Sequence, residues 1–193
     1  MENLLGKNKV LTAVFISGKG TNLKKLIQFS KTKNSPIKIS LIVSSNSKAE
    51  GLKYSLKYKI KKYVVAINDG NFEDKILKNL KINKIQFICL AGYMKILSKK
   101  FIKNFKGKII NIHPSLLPKY KGLNTHEKVI KNKEKYTGCT VHYVNDKLDS
   151  GKIILQKKIK IFKNDNPKSI KRRVLNEEHQ TYYKAILKIF NVI

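Results

Sequence analysis

The sequence predicts an α/β protein built on a doubly wound, mostly parallel sheet, with an antiparallel strand pair added near the C-terminal end. Short apolar runs rich in β-branched residues alternate with stretches of helical periodicity, which indicates strand–helix–strand units. These apolar runs are continuous, as expected for strands that helices cover on both faces. The predicted architecture is therefore Rossmann-like, and ligands are expected beyond the carboxyl ends of the strands.

The first five predicted strands are VLTAVFI (10–16), IKISLIVSS (37–45), YVVAI (63–67), FICLA (87–91) and KIINIH (108–113). Helices are predicted between them at 23–29, 49–58 and 71–80. In the last of these, Phe72, Ile76 and Leu80 share one face.

After Gly122 the pattern changes. A helix near 125–131 precedes two longer strands, at 136–144 and 152–161. A final helix covers about 167–190, with Pro167 in the favourable first turn. These two strands are the predicted antiparallel addition to the sheet.

The length of 193 residues suits one domain, and we expect residues 1–193 to form it. No run approaches the ~18 apolar residues of a membrane helix, so no membrane contact is expected. The apolar run at 10–16 lacks the cleavage pattern of a signal peptide. Cys89 and Cys139 lack metal-ligand spacing, and we interpret both as reduced core residues of a cytoplasmic protein.

The net charge of +30 normally indicates nucleic acid or an anionic surface as a partner. The basic residues are nearly all lysines scattered along the chain, however, and only Arg172 and Arg173 are arginines. Base-reading and bidentate phosphate sites favour arginine. The abundance of Lys, Ile and Asn, which all have AT-rich codons, explains the charge without a nucleic-acid partner. A basic nucleic-acid-binding module remains the alternative from a different class.

The segment SGKGTNL (17–23) links the first strand to the first helix. Gly18 and Gly20 allow a tight turn and a close approach to a ligand. The free N–H groups of Gly20, Thr21 and Asn22 at the helix start predict a site for a single phosphate. An ordinary glycine turn with a Thr or Asn cap is the alternative.

Asn111 and His113 lie two residues apart at the end of a predicted strand, so both side chains should face one site. An amide can donate a hydrogen bond to a developing oxyanion, and a histidine can exchange a proton near neutral pH. The alternative is a structural histidine bonded to a loop carbonyl. The later loop NDKLDSG (145–151) holds Asp146 and Asp149. An acid beside His113 would orient the ring and favour its charged form, whereas the alternative for this loop is a hairpin with Asx turns.

Several segments occur together in one order: SGKGTNL, AGYMKILS, NIHPSLLPKYKG, THEKVI, VHYVNDKLDSG and NEEH. In this order and spacing the chain resembles the formyl-transferring superfamily, and within it the folate-dependent glycinamide ribonucleotide branch. The resemblance runs from about Val10 to about Phe190.

The resemblance implies transfer of the formyl group of 10-formyltetrahydrofolate to the amine of 5′-phosphoribosylglycinamide in purine biosynthesis. The matching catalytic positions are Asn111, His113 and Asp149. Gly20, Thr21 and Asn22 match the phosphate site, and Glu178 matches an acid on the ribose side. The residues that match the folate site are Met94, Lys95, Ile96, Leu97, Asn111, Asn145, Asp146, Lys147 and Leu148.

The implied mechanism is direct attack of the amine on the formyl carbon through a tetrahedral intermediate. Asn111 and protonated His113 would stabilise its oxygen, and Asp149 would hold His113 and help to move a proton through water. Neither a protein nucleophile nor a metal is required. His126 and His142 lack ligand spacing and are interpreted as structural.

The sequence departs from the family near Asp69, where members often carry an arginine that holds the folate tail, and at Asn124, where a histidine is frequent. Rivals within the superfamily are 10-formyltetrahydrofolate hydrolase and methionyl-tRNA formyltransferase, which carry further domains. We expect small-molecule substrates and a monomer or weak homodimer.

Overall fold

The structure, a computed structural model, describes residues 9–65 and 70–192. Among those residues, seven strands form one sheet in the order β3-β2-β1-β4-β5-β6-β7. The strands are β1 (Val10–Ile16), β2 (Ile37–Ser44), β3 (Lys61–Val64), β4 (Phe87–Leu90), β5 (Lys108–His113), β6 (Tyr136–Tyr143) and β7 (Ile153–Lys160). Strands β1 to β5 are parallel, and β6 is antiparallel to both β5 and β7. The predicted fold class is confirmed.

The helices of the described chain connect and flank these strands. They are α1 (Thr21–Ser30), α2 (Lys53–Tyr58), α3 (Phe72–Ile82), α4 (Lys99–Asn104), α5 (Thr125–Lys131) and α6 (Pro167–Ile189), and a 3₁₀ turn at Glu50–Leu52 precedes α2. None of them is long and apolar enough to cross a membrane.

Helices cover both faces of the sheet, and alternate residues of each strand point to opposite faces. In β1, Val14 belongs to a buried cluster that α1 and α6 cover, whereas Phe15 belongs to a second cluster that α3 and α4 cover. Fully burying a side chain of this kind contributes roughly 1.5–3 kcal/mol. Because both faces are buried, the inner strands need apolar side chains at almost every position, which explains the continuous runs. Cys89 and Cys139 are buried and free, as predicted.

Three elements differ from the sequence-based prediction. The strand predicted at 63–67 begins earlier, at Lys61, and residues 66–69 lie outside the described residues. The helix predicted at 49–58 is a 3₁₀ turn followed by the short α2. Helix α4 was not predicted, because six residues that fully bury only Phe101 show no clear periodicity. The available signal was its N-cap: Ser98 Oγ accepts the Phe101 N–H at 3.0 Å.

The last helix is fixed at both its start and its middle. Asn166 and Ser169 form a reciprocal capping box around Pro167. Further along, the buried Tyr182 donates its hydroxyl to the Leu90 carbonyl, at the end of β4, with an O···O distance of 2.8 Å. Helix α6 is thereby held beside the carboxyl ends of the central strands, where both the predicted nucleotide residues and the predicted catalytic residues lie.

Candidate active site

A cavity of about 850 Å³ opens at the carboxyl ends of β4 and β5. Its walls include the predicted catalytic residues Asn111, His113 and Asp149, which come from two distant segments of the sequence. The predicted folate residues on its walls are Met94, Lys95, Ile96, Leu97, Asn145, Lys147 and Leu148. Asp146, predicted with them, is not among the lining residues.

Asp149 connects the loop after β6 to the end of β5. Its Oδ2 accepts the Gly122 N–H at 2.8 Å and lies 3.3 Å from His113 Nδ1. Its Oδ1 lies 3.5 Å from Asn111 Nδ2. Asp149 adopts a left-handed backbone conformation (φ 45°), a region in which Asp is enriched among non-glycine residues. The three predicted catalytic side chains are thus within reach of one another.

Burial and hydrogen bonding oppose each other at Asp149. Burial raises the pKa of this carboxyl, but the nearby His142 ring, the hydrogen bond from the Gly122 amide and the nearby His113 ring outweigh it and leave the pKa below its usual value. Asp149 is therefore ionised at neutral pH.

His113 is buried, and both of its ring nitrogens face acceptors. Nε2 lies 2.8 Å from the Tyr120 carbonyl oxygen, and Nδ1 faces the Asp149 carboxylate. Only the doubly protonated ring satisfies both contacts. Burial disfavours that cation and lowers the pKa of His113, and His142 and Lys128 add to this, although the Tyr120 carbonyl and Asp149 raise it. Asp149 thus favours the charged form of His113, as expected, but burial acts in the opposite direction and is the larger effect on this pKa.

His142 lies in the same cluster, although its sequence context indicated a structural residue. It is the cross-strand neighbour of Asn111 in the β5–β6 register. Its Nδ1 faces the Tyr143 carbonyl at 2.8 Å and therefore carries a proton. Its Nε2 lies 3.3 Å from Asn111 Nδ2 and 3.6 Å from Asp149 Oδ1. The register of an antiparallel strand pair cannot be deduced from the sequence, so the position of His142 beside Asn111 was not predicted.

The predicted phosphate segment forms the start of α1. Gly20 occupies the N-cap with φ 69°, a conformation that favours glycine. A Cβ on Gly20 would lie 2.7 Å from Gly51 Cα, so the backbones approach closely at this point. Thr21 and Asn22 follow in the first turn, where backbone N–H groups have no partner within the helix. An anion can bind to such groups.

Asn22 and Glu178, predicted separately for the nucleotide, are in direct contact. Asn22 Nδ2 donates to Glu178 Oε2 at 2.7 Å. Both side chains are buried, and Asn22 Oδ1 has no hydrogen-bond partner among the described residues. Burial raises the pKa of Glu178 to about 7, although Asn22 and Lys171 lower it. Lys171, two turns before Glu178 on α6, also lines the cavity. It therefore lies between the cavity and the contact of Asn22 with Glu178.

Replacing Glu178 by glutamine is expected to flatten the pH dependence of stability. Because the folded protein binds this proton more tightly than the unfolded chain does, its contribution is complete below the ordinary pKa of 4.5 and is lost as the pH rises through about 7. Glu178→Gln should therefore be more stable than the wild type at pH 8, by at most roughly 3 kcal/mol, and the difference should shrink steadily toward pH 5. Urea unfolding from pH 5 to 8.5 measures this, and parallel curves for the two proteins would refute the assignment.

The segment from Met94 to Leu97 lies directly beside the start of the phosphate segment. Met94 and Ile96 are exposed and Leu97 is buried. The Met94 N–H donates to Ser17 Oγ at 2.8 Å, so this amide already has a hydrogen-bond partner within the protein. Asp69, near which the family arginine is absent, lies outside the described residues.

A second cavity, of about 700 Å³, lies at the amino ends of β1, β2 and β3. The carboxyl-terminal ends of α1, α2 and α3 meet there, and lysines surround them. Lys9 Nζ donates to the carbonyls of Ser30 and Thr32 at 2.9 and 2.7 Å. These lysines complement the negative ends of the helices, so we do not treat this cavity as the active site. Across the described residues, no group of three or more His, Cys, Asp or Glu side chains could hold a metal ion.

The site and the fold together define a transferase of the formyl transferase family, to which the chain belongs: the family model matches residues 10–186. The chain is similar to the phosphoribosylglycinamide formyltransferase of Haemophilus influenzae, with 41% identity over 174 residues that cover 88% of this chain and 82% of that protein. It is also similar to the crystal structure of phosphoribosylglycinamide formyltransferase from Brucella melitensis, with 37% identity, a TM-score of 0.89, and coverage of 95% and 96% of the two chains. The predicted resemblance is confirmed.

A longer relative is the trifunctional purine biosynthetic protein adenosine-3 of Gallus gallus. It is 39% identical over 183 residues, which cover 93% of this chain but only 18% of the chicken protein. The chain thus spans less than a fifth of that relative.

Proposed function

We propose that this protein transfers the formyl group of 10-formyltetrahydrofolate to the amine of 5′-phosphoribosylglycinamide, a step of purine biosynthesis. The observation that carries the proposal is the cluster of Asn111, His113 and Asp149 on the wall of the 850 Å³ cavity. The names of the relatives of similar length, phosphoribosylglycinamide formyltransferases, support the same reaction.

The walls of the cavity suit a flat heterocycle with an anionic tail. Met94, Ile96, Leu123 and Leu148 are exposed large apolar side chains that line it. Such surfaces favour a ring system, because contact with the ring removes apolar area from water. The lysines on the same walls are Lys95, Lys121, Lys128, Lys147 and Lys171. They would attract the carboxylates of the folate tail, a task that the family arginine performs elsewhere.

The nucleotide would bind on the side of α1 and α6. The first-turn amides of Thr21 and Asn22 would hold the phosphate, aided by the helix dipole. The Glu178 carboxyl, bonded to Asn22, would face the ribose. Asn22 Oδ1, which lacks a partner among the described residues, remains able to accept a hydrogen bond from this ligand.

Asn111 would supply the main stabilisation of the formyl oxygen as negative charge develops there. Among the described residues, its Nδ2 group has hydrogen-bond contacts with His142 and Asp149 alone, at long distances of 3.3 and 3.5 Å, so little is lost when it turns to the oxygen. As the negative charge appears, His113 would take up a proton from water, since an opposite charge raises the pKa of a histidine, and it would return that proton when the carbonyl re-forms.

Asp149 would accept and then transfer the proton that the attacking amine loses. Ionised at neutral pH, it can accept that proton directly or through water, and it already holds Nδ1 of His113. The proton would then pass to the nitrogen that leaves the formyl carbon. No side chain of the protein needs to bond covalently to the formyl carbon, because the amine is itself the nucleophile.

The proposal predicts deformylation that depends on the ribonucleotide. Absorbance of a stable 10-formyl-folate analogue should change with turnover when the protein and glycinamide ribonucleotide are both present, and should stay constant without the ribonucleotide. Deformylation without it would indicate a hydrolase. Formylation of methionyl-tRNA in its place would indicate the tRNA branch, and no deformylation by folded protein under any of these conditions would overturn the proposal.

A further inference from the structure

Ser17 directly follows β1 and joins it to the turn after β4. The Ser17 N–H donates to the Gly92 carbonyl at 3.1 Å, and the Met94 N–H donates to Ser17 Oγ at 2.8 Å. These contacts fix the chain at the point where it enters the Met94–Leu97 segment. Ser17 thus contacts the proposed folate-binding segment through both its backbone and its side chain.

The same residue is also held by the turn after β2. Ser17 Oγ and Ser45 Oγ lie 2.6 Å apart, which is hydrogen-bond distance in either direction. Asn46 Nδ2 donates to the Ser17 carbonyl at 3.3 Å. The Ser45 N–H donates to the Ile16 carbonyl at 3.2 Å, which fixes this turn against the end of β1. Ser17 is therefore hydrogen-bonded to the turns that follow β2 and β4, the two strands on either side of β1.

Beyond Ser17 the chain enters the proposed phosphate segment at once. Gly18 accepts the Gly51 N–H at 3.0 Å, and Gly20 packs closely against Gly51. The phosphate segment is thus anchored to Gly51 at one end and to Ser17 at the other. One hydroxyl lies between the segment proposed for the nucleotide and the segment proposed for the folate.

We propose that Ser17 is a positioning residue that fixes the separation between the two bound substrates. The inference rests on the proposed function, because it assumes that these two segments hold the formyl donor and its acceptor. Group transfer requires the amine to lie within reach of the formyl carbon, and a small misplacement lowers the rate far more than it weakens the binding of either substrate alone. Loss of the Ser17 hydroxyl frees the Met94 amide and lets the two segments shift relative to each other.

The test compares Ser17→Ala with Ser17→Thr, which keeps the hydroxyl. In Ser17→Ala we expect kcat to fall about 3- to 10-fold, as loss of one hydrogen bond predicts. Calorimetric Kd values for glycinamide ribonucleotide alone and for a stable formyl-folate analogue alone should change less than about 2-fold. Ser17→Thr should restore kcat to within about 2-fold of the wild type. Ser45→Ala removes only the second contact of the hydroxyl and should have the smaller effect.

Three results would overturn the positioning role. The first is an unchanged kcat in folded Ser17→Ala, and the second is a weakened binding of one ligand alone that accounts for the whole loss of activity. A Ser17→Thr variant that stays folded and is as impaired as Ser17→Ala would also reject it. A wild-type protein without formyl-transfer activity would instead reject the proposed function. The wild-type activity assay therefore distinguishes failure of the proposed function from failure of the positioning role of Ser17.

Discussion

Replacing Asp149 by asparagine is expected to lower kcat for formyl transfer about 10³-fold while leaving the fold intact. Asparagine has the same shape and keeps one oxygen to accept the Gly122 N–H, which lies 2.8 Å away in the wild type. It lacks the negative charge that faces His113 Nδ1, and it cannot take up the proton of the attacking amine. The loss should therefore fall on kcat, with little change in the KM for either substrate.

The matched control is Asp74→Asn, which removes one carboxylate from an exposed pair with Lys100. It changes the net charge equally and should retain wild-type kcat, because surface ion pairs contribute little. Steady-state kinetics of the two variants, together with their unfolding curves, provide the comparison. A kcat for Asp149→Asn within 10-fold of the wild type would show that the carboxylate charge is not part of the chemistry.

Replacing Gly151 by alanine is expected to destabilise the protein by about 3 kcal/mol. A Cβ at this position would lie 1.7 Å from the Tyr143 carbonyl oxygen and 2.7 Å from its carbon, so backbone must move. The same carbonyl faces His142 Nδ1 at 2.8 Å. The Asp149 loop would be pushed away from β6, and activity should fall together with stability.

Gly18→Ala is the control for this substitution, because among the described residues nothing lies within 4 Å of a Cβ built at Gly18. Its stability should stay close to that of the wild type. Urea unfolding of the two variants measures the difference. Equal urea midpoints for Gly151→Ala and the wild type would mean that the Asp149 loop can shift with little loss of stability. The loop would then not fix the position of Asp149.

The sheet could be predicted from the sequence because its signals are local. Continuous β-branched runs identify buried strands, and Lys108–His113 was predicted at its observed bounds. Helix α4 could not be predicted from periodicity, since it spans under two turns. Its existence depends on the tertiary burial of Phe101 and on a cap at Ser98.

The site was only partly predictable, because local sequence signals do not show which distant segments meet in the folded protein. Asn111 and His113 were identified because a strand sets two side chains on one face, but that argument ends at the strand. The approach of Asp149 came from resemblance, and the presence of His142 came only from the β5–β6 register. The lowered pKa of His113 could not be foreseen either, because it follows chiefly from burial of the ring in the folded structure.

We propose that the cluster of Asn111, His113 and Asp149 moves a formyl group onto the amine of glycinamide ribonucleotide. The most direct measurement follows a ¹³C-labelled formyl carbon by NMR, from the folate to the ribonucleotide, with the wild type and with His113→Ala. We expect the label on the ribonucleotide amine with the wild type and almost none with the variant over the same time, while the variant still binds both ligands. Label on the ribonucleotide at the wild-type rate with His113→Ala, or label released as free formate by the wild type, would contradict the account.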